Sequence, residues 1–154
     1  MISVAGCNQD DVDQNLEKKM EIKRKEMEIK RYTSKGDRYT VRLGGQNGHG
    51  SGDGEFKMPY GMTSSKDTKM LYVCDGENRR VQIFSLDGEW QGKFGSRGKE
   101  IEEFEWPRDV AMTRSGDLAI VDSWNHRIQI HSPEGTFIQS FGKPGKEGGQ
   151  LRYP

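Results

Sequence analysis

Asp122-Ser123-Trp124-Asn125-His126-Arg127-Ile128-Gln129-Ile130 restates, 47 residues on, the stretch Asp75-Gly76-Glu77-Asn78-Arg79-Arg80-Val81-Gln82-Ile83. The match extends outward in both directions. Leu71-Tyr72-Val73-Cys74 precedes the first copy as Leu118-Ala119-Ile120-Val121 precedes the second. Asp87-Gly88 then matches Glu134-Gly135, and Phe94-Gly95 matches Phe141-Gly142. Upstream, Phe56-Lys57-Met58-Pro59 matches Phe104-Glu105-Trp106-Pro107. The Pro-to-Pro offset is 48, so the first copy holds one extra residue in the turn 64–69. An exposed hairpin tip is where an insertion costs least.

Each copy reads as four short strands separated by Gly-containing turns such as Leu86-Asp87-Gly88 and Ser115-Gly116-Asp117. The strands fall at 61–63 or 109–113, 70–74 or 118–121, 80–84 or 127–131, and 90–94 or 137–141. Val81 and Ile83 point one way and Arg80 and Gln82 the other, as strand alternation requires. Four antiparallel strands in a unit of roughly 40–50 residues make a β-propeller blade. The fold class is therefore all-β: a partial propeller of about two four-stranded blades, with pieces of flanking blades and an N-terminal helical segment before them.

The stretch 122–129, followed by a Glu-Gly turn and a Phe-Gly, resembles an NHL repeat, and 75–82 is its second match. The resemblance covers 56–141 as two full repeats. Tyr39-Thr40-Val41-Arg42-Leu43-Gly44 resembles the last strand of a preceding blade, and Gly148-Gly149-Gln150-Leu151-Arg152-Tyr153-Pro154 the opening of a following one. NHL families usually close six blades, so the resemblance implies a slice of a longer propeller, a fragment with open blade faces. A coiled-coil-like stretch ahead of NHL repeats is similar to the tripartite-motif NHL proteins, in which a RING finger, B-boxes and a coiled coil come first. The RING supplies their ubiquitin-ligase activity. No Cys/His cluster of that kind occurs here, so membership of the wider family is implied and ligase activity is not.

The N-terminal third is of different character. Met20-Glu21-Ile22-Lys23-Arg24 recurs seven residues later as Met27-Glu28-Ile29-Lys30-Arg31. Good helix formers predict a helix over 13–31. The apolar stripe, Leu16, Met20 and Met27, is thin, which favours a solvated linker over the remnant of a dimerising coiled coil. Residues 44–54 hold six glycines in eleven positions. No Gly-x-x-x-x-Gly-Lys pattern leads into a helix, so the segment reads as a flexible connection and not a phosphate loop. The organisation is 1–38 as helical linker, 39–54 as lone strand and Gly-rich loop, and 55–154 as repeats at 56–95 and 104–142 with a third from 148.

Composition narrows the function. The 154 residues carry 24 basic and 24 acidic side chains, which excludes a chain-wide polycation. No apolar run reaches a membrane span, and Met1 to Cys7 lacks a signal-peptide pattern. Cys7 and Cys74 form no disulfide framework, which predicts a reducing, cytoplasmic location. His49, His126 and His131 are scattered, with no metal spacing and no base–nucleophile pair. Some NHL-like propellers are lyases or hydrolases with axial, metal-bound histidines, but no matching set is present. The expectation is a non-enzymatic chain with no cofactor and no metal.

Two sets of residues stand out. Asp75, Asn78, Arg80, Gln82 and Gly88 recur as Asp122, Asn125, Arg127, Gln129 and Gly135, and repetition at one blade position marks a structural role. The loops between strands two and three and between blades emerge on one propeller face. They carry Arg79, Arg97, Lys99, Trp124, His126, Lys143 and Lys146, the candidate binding residues. Trp124 stands where the first copy has Glu77, so the scaffold does not demand an aromatic there. Cations interleaved with an aromatic suit single-stranded RNA. Against this, Glu100, Glu102, Glu103 and Glu105 share the inter-blade loop, and 55–154 holds 14 basic and 15 acidic residues. A protein or peptide partner is favoured, with RNA on the same face one alternative and a fragment of a ubiquitin ligase whose RING is missing here the other. Self-association through the N-terminal helix or the open blade edges is a further expectation, and a membrane partner is not.

Overall fold

The computed structural model describes residues 27–32, 38–43 and 49–154. Strands β3 (Pro59–Ser65), β4 (Met70–Asp75), β5 (Arg80–Ser85) and β6 (Trp90–Phe94) form one antiparallel sheet in chain order. After the short β7 (Ser96–Arg97) and β8 (Glu103–Phe104), strands β9 (Pro107–Met112), β10 (Leu118–Asp122), β11 (Arg127–His131) and β12 (Phe137–Phe141) form the second. Each innermost strand opens on proline, which has no N–H to give and suits the first position of a strand. The two meanders are successive propeller blades, and β3 and β4 pack on β9.

The junction between the blades is the principal core. Tyr72, Cys74 and Val81 of the first sheet lock against Phe104 of β8 and Val110, Leu118 and Ile120 of the second sheet, and all are buried. The opposite face of the first sheet buries Leu71, Val73 and Phe84 with Phe56 and Leu43. β4 is thus covered on both faces, which is why Leu71-Tyr72-Val73-Cys74 is a continuous apolar run and not an alternating one. Full burial of each such side chain contributes about 1.5–3 kcal/mol. The polar side of β5 is no more exposed: Arg80 and Gln82 are buried as well.

Two expectations need correction. The helix predicted over 13–31 gives way to a strand at its end. β1 (Met27–Tyr32) pairs antiparallel with β2 (Arg38–Leu43), Met27 opposite Leu43 and Ile29 opposite Val41. The same register links Val81 with Phe94 and Ile128 with Phe141. Met27-Glu28-Ile29 alternates at period two as well as recurring at seven, and strand pairing overrides a helix propensity of a few tenths of a kcal/mol per residue. The rest of the expected helix, and any coiled coil, lies outside the described residues.

The second correction concerns the Gly-rich segment. Residues 49–56 are a hydrogen-bonded loop and not a slack connection. His49 bridges Phe56 in parallel, and Gly50 N donates to Phe56 O. The same parallel closure recurs as β7 with β8 and as Pro144 with Leu151. Among the described residues no helix is long and apolar enough to cross a membrane.

Candidate interaction face

The turn after strand two of each blade is tied to the loop that leads into the same blade. In the first blade Asp75 Oδ2 accepts from Asn78 Nδ2 at 2.9 Å, Arg80 Nε at 2.8 Å and Gln82 Nε2 at 3.1 Å, while its Oδ1 accepts from Lys57 N at 2.7 Å. The other end of the Arg80 guanidinium donates to the carbonyls of Ser51, Gly52 and Glu55 at 2.8–2.9 Å. Asn78 also donates to Gly50 O, and Gln82 to Glu55 O.

The second blade repeats the clasp. Asp122 Oδ2 accepts from Asn125 and Arg127, and Arg127 donates onward to the carbonyls of Lys99, Glu100 and Glu103. Gln129 donates to Glu103 O and Asn125 to Gly98 O. Asp122 Oδ1 accepts from the amides of Glu105 and Trp106, which fixes the backbone that presents Trp106.

Of the two recurrent glycines, Gly135 marks a blade contact. Gly135 has φ 97°, and a Cβ there would lie 2.5 Å from the Phe94 ring of the preceding blade. Gly88 occupies the matching turn of the first blade with φ 92°.

With both turns anchored, a ladder of rings and cations forms on the loop face. Arg79 and His126 close equivalent turns in the left-handed region, at φ 56° and 55°, a conformation that costs a side chain roughly 1–2 kcal/mol. Each projects onto the aromatic residue that stands before the next proline. The Arg79 guanidinium lies 4.8 Å from the Trp106 ring centroid, a cation–π distance. His126 meets Tyr153 edge to face at 4.5 Å and accepts from Tyr153 N through Nδ1 at 3.1 Å. Trp106 is further stacked on Trp124, 4.7 Å between centroids and 18° between planes. Trp124 rides on the short 3-10 turn Ser123–Asn125 and keeps 51 % exposure. Trp106 is therefore held between Arg79 of one blade and Trp124 of the next.

The remaining candidates are distributed around this stack. Arg97 is exposed and reaches Glu105 through Nε at 3.3 Å. Arg97, Arg79, Glu77, Met58 and Trp106 line a groove of about 450 Å³ beside it. Lys99 is exposed, and its carbonyl is the one taken by Arg127. Lys143 and Lys146 are exposed on the following inter-blade loop, in the neighbourhood of the His126–Tyr153 pair in sequence and not of Trp106. Sequence reasoning missed Trp106 and Tyr153. Their signal was present: Met58, Trp106 and Tyr153 each precede a repeat proline, at offsets of 48 and 47.

Electrostatically the face is mixed, with Glu77 and Glu105 among the cations. Among the described residues no group of His, Cys, Asp or Glu could hold a metal ion. Cys74 lies in the core between the blades, where burial, reinforced by Asp109 and Asp75, pushes its thiol well above the range in which a thiolate forms.

The residues around this face have recognisable relatives. Residues 104–130 match the NHL repeat. Protein brain tumor of Drosophila melanogaster is 35% identical over 69 residues, covering 44% of this chain and 7% of that protein. A streptogramin B lyase structure superposes with a TM-score of 0.52 at 15% identity, over 79% of this chain and 36% of its own. A catalytically inactive virginiamycin B lyase from Staphylococcus aureus, crystallised with quinupristin, gives a TM-score of 0.52 at 18% identity over the same shares. The chain thus spans 7% of the curated relative and 36% of each of these propellers.

These structures correct the expectation of a non-enzymatic chain. Solved propellers of the same fold include lyases, so this architecture does not exclude catalysis. At 15% and 18% identity they carry the fold and nothing about chemistry. Repeat register, clasp and sheet topology agree with these matches: the chain carries an NHL repeat at 104–130 within a β-propeller-type fold, and it resembles the tripartite-motif NHL proteins.

Proposed function

We propose that this chain binds a protein or peptide partner in the cytoplasm through the loop face at the blade junction, with Trp124 as anchor and Arg79, Trp106 and Arg97 beside it. The observation that carries the reading is the Arg79–Trp106–Trp124 stack. An exposed, pre-ordered indole offers large contact area at small entropic cost, and Trp and Arg are enriched among binding hot spots. Glu77 and Glu105 beside the cations suit a chain of mixed charge better than a run of phosphates. The tripartite-motif resemblance extends the proposal to ubiquitin-ligase pathways, with this face holding a protein for a ligase module supplied elsewhere.

The test is a displayed-peptide selection on the full chain, followed by affinity measurement on the selected peptides. Trp124→Ala should weaken binding by about 2 kcal/mol or more and leave the melting temperature nearly unchanged. Arg79 charge reversal should weaken it as well. A Trp124→Ala chain that melts early yet binds normally would place the indole in the packing of the turn and remove it as anchor. A second reading, single-stranded RNA on the same face, is favoured by the exposed Trp124 and by Lys99, Lys143 and Lys146. Filter binding of a poly-uridine oligonucleotide across salt separates the two, because phosphate contacts give a steep salt slope.

A further inference from the structure

His131 ends β11 at the position held by Phe84 in the first repeat. It is fully buried at the joint between the blades. Its ring lies 5.2 Å from Phe94 of the preceding blade, 5.7 Å from Phe104 of the lead-in loop and 5.8 Å from Phe137 of β12. Nδ1 is 2.9 Å from Gly135 O. A carbonyl oxygen only accepts, so Nδ1 carries the hydrogen of the neutral ring and Nε2 is the basic nitrogen. Nε2 is buried with no hydrogen-bond partner. A proton arriving there creates a donor without an acceptor and a charge among three phenyl rings.

The surrounding charges do not reverse this. Burial, the dominant cause, lowers the His131 pKa below the usual 6.5; Gly135 O and Glu102 act to raise it and Arg127 to lower it further. The other carboxylates on neighbouring segments are engaged elsewhere: Glu103 with Glu100 N, Asp117 with the Ser115 hydroxyl and Glu134 with the Ser132 hydroxyl. Lys93, next to Phe94, is paired with Asp53. The site is also linked to the interaction face. Phe104 sits two residues before Trp106, and Glu102 of the same loop accepts from Phe137 N at 3.3 Å and donates its own N–H to Gln129 at 3.4 Å.

We propose that His131 is an acid-release pin: protonation of Nε2 expels the ring from the Phe94–Phe104–Phe137 cage, parts the blades there and loosens the loop 95–106 that carries Trp106. Because the folded state holds the ring neutral, the unfolded chain binds the extra proton as pH falls below about 6.5. The stability is fully present above that value and is lost on the way down to the lower folded value. The first repeat supplies the control, since Phe84 fills the same position without a titratable group and packs on Phe56 at 5.6 Å.

The experiment compares full-length wild type with His131→Phe between pH 8 and pH 5. The variant should match or exceed the wild-type melting temperature at pH 8 and lead it by about 3 °C more at pH 5. The near-ultraviolet circular dichroism of the stacked indoles should fade on acidification in wild type only. In case the variant misfolds, the imidazole of wild-type His131 followed by NMR should titrate below a free histidine. A melting-temperature difference that is the same at both pH values, or a His131 ring that titrates like a free one, overturns the proposal. An acid transition that leaves the indole signal intact overturns the link to the face.

Discussion

Asp75 and Asp122 each accept from four donors while fully buried, and each neutralises an arginine whose other hydrogen bonds go to backbone carbonyls. Removing the carboxylate strands a guanidinium away from water. Asp75→Ala should cost on the order of 3–5 kcal/mol in urea denaturation, because the Arg80 side chain is only 6% exposed. Asp122→Ala should cost less, since Arg127 is 14% exposed and can recruit solvent. Equal losses in the two variants would mean that arginine burial does not set the cost. The recurrence of Asp, Asn, Arg and Gln is plain in the chain, and their partners are not. The acceptors are carbonyls 24–29 residues upstream, and a carbonyl has no residue identity for sequence to display. Trp106 was hidden for a related reason. An aromatic before a proline has no role until Arg79 from the neighbouring blade lies on it.

At the scale of elements, the turn between β11 and β12 acts as a contact as well as a connection. Gly135 and Gly116 both have φ near 95°, but Phe94 abuts the first and open space the second. Gly116→Ala should lose only the conformational cost, about 1–2 kcal/mol. Gly135→Ala should lose that and a further ~1–3 kcal/mol for overpacking against the phenyl ring. Chemical denaturation of both variants isolates the packing part as their difference; equal losses would mean that Phe94 yields freely. The strands β3 to β6 and β9 to β12 follow from alternation and turn chemistry in the sequence. β1 does not, because Met27-Glu28-Ile29-Lys30 satisfies the helix and strand periods at once and only pairing with β2 decides between them.

At the scale of the whole molecule, the two blades are joined by one apolar interface with Cys74 inside it. Burial keeps that thiol protonated and out of reach, so it reports on opening of the joint. In a Cys7→Ser background, Cys74 should resist iodoacetamide under native conditions at pH 8 and react fully in denaturant, as read by peptide mass spectrometry. Rapid native labelling would show that the blades separate readily. The same interface separates what the chain determines from what the fold determines. The 47-residue recurrence determines the number of strands in each repeat, their order and the recurrent turn chemistry, because each is a local matter of alternation and backbone conformation. Three things were decided only by tertiary contact: the caging of His131 by Phe94, Phe104 and Phe137 and the seating of Arg79 on Trp106, both across the blade junction, and, within the first blade, the conversion of a Gly-rich stretch into the acceptor shell of Arg80. Each depends on groups distant in sequence meeting in space, and residue spacing along one chain does not encode which distant neighbour a side chain will meet.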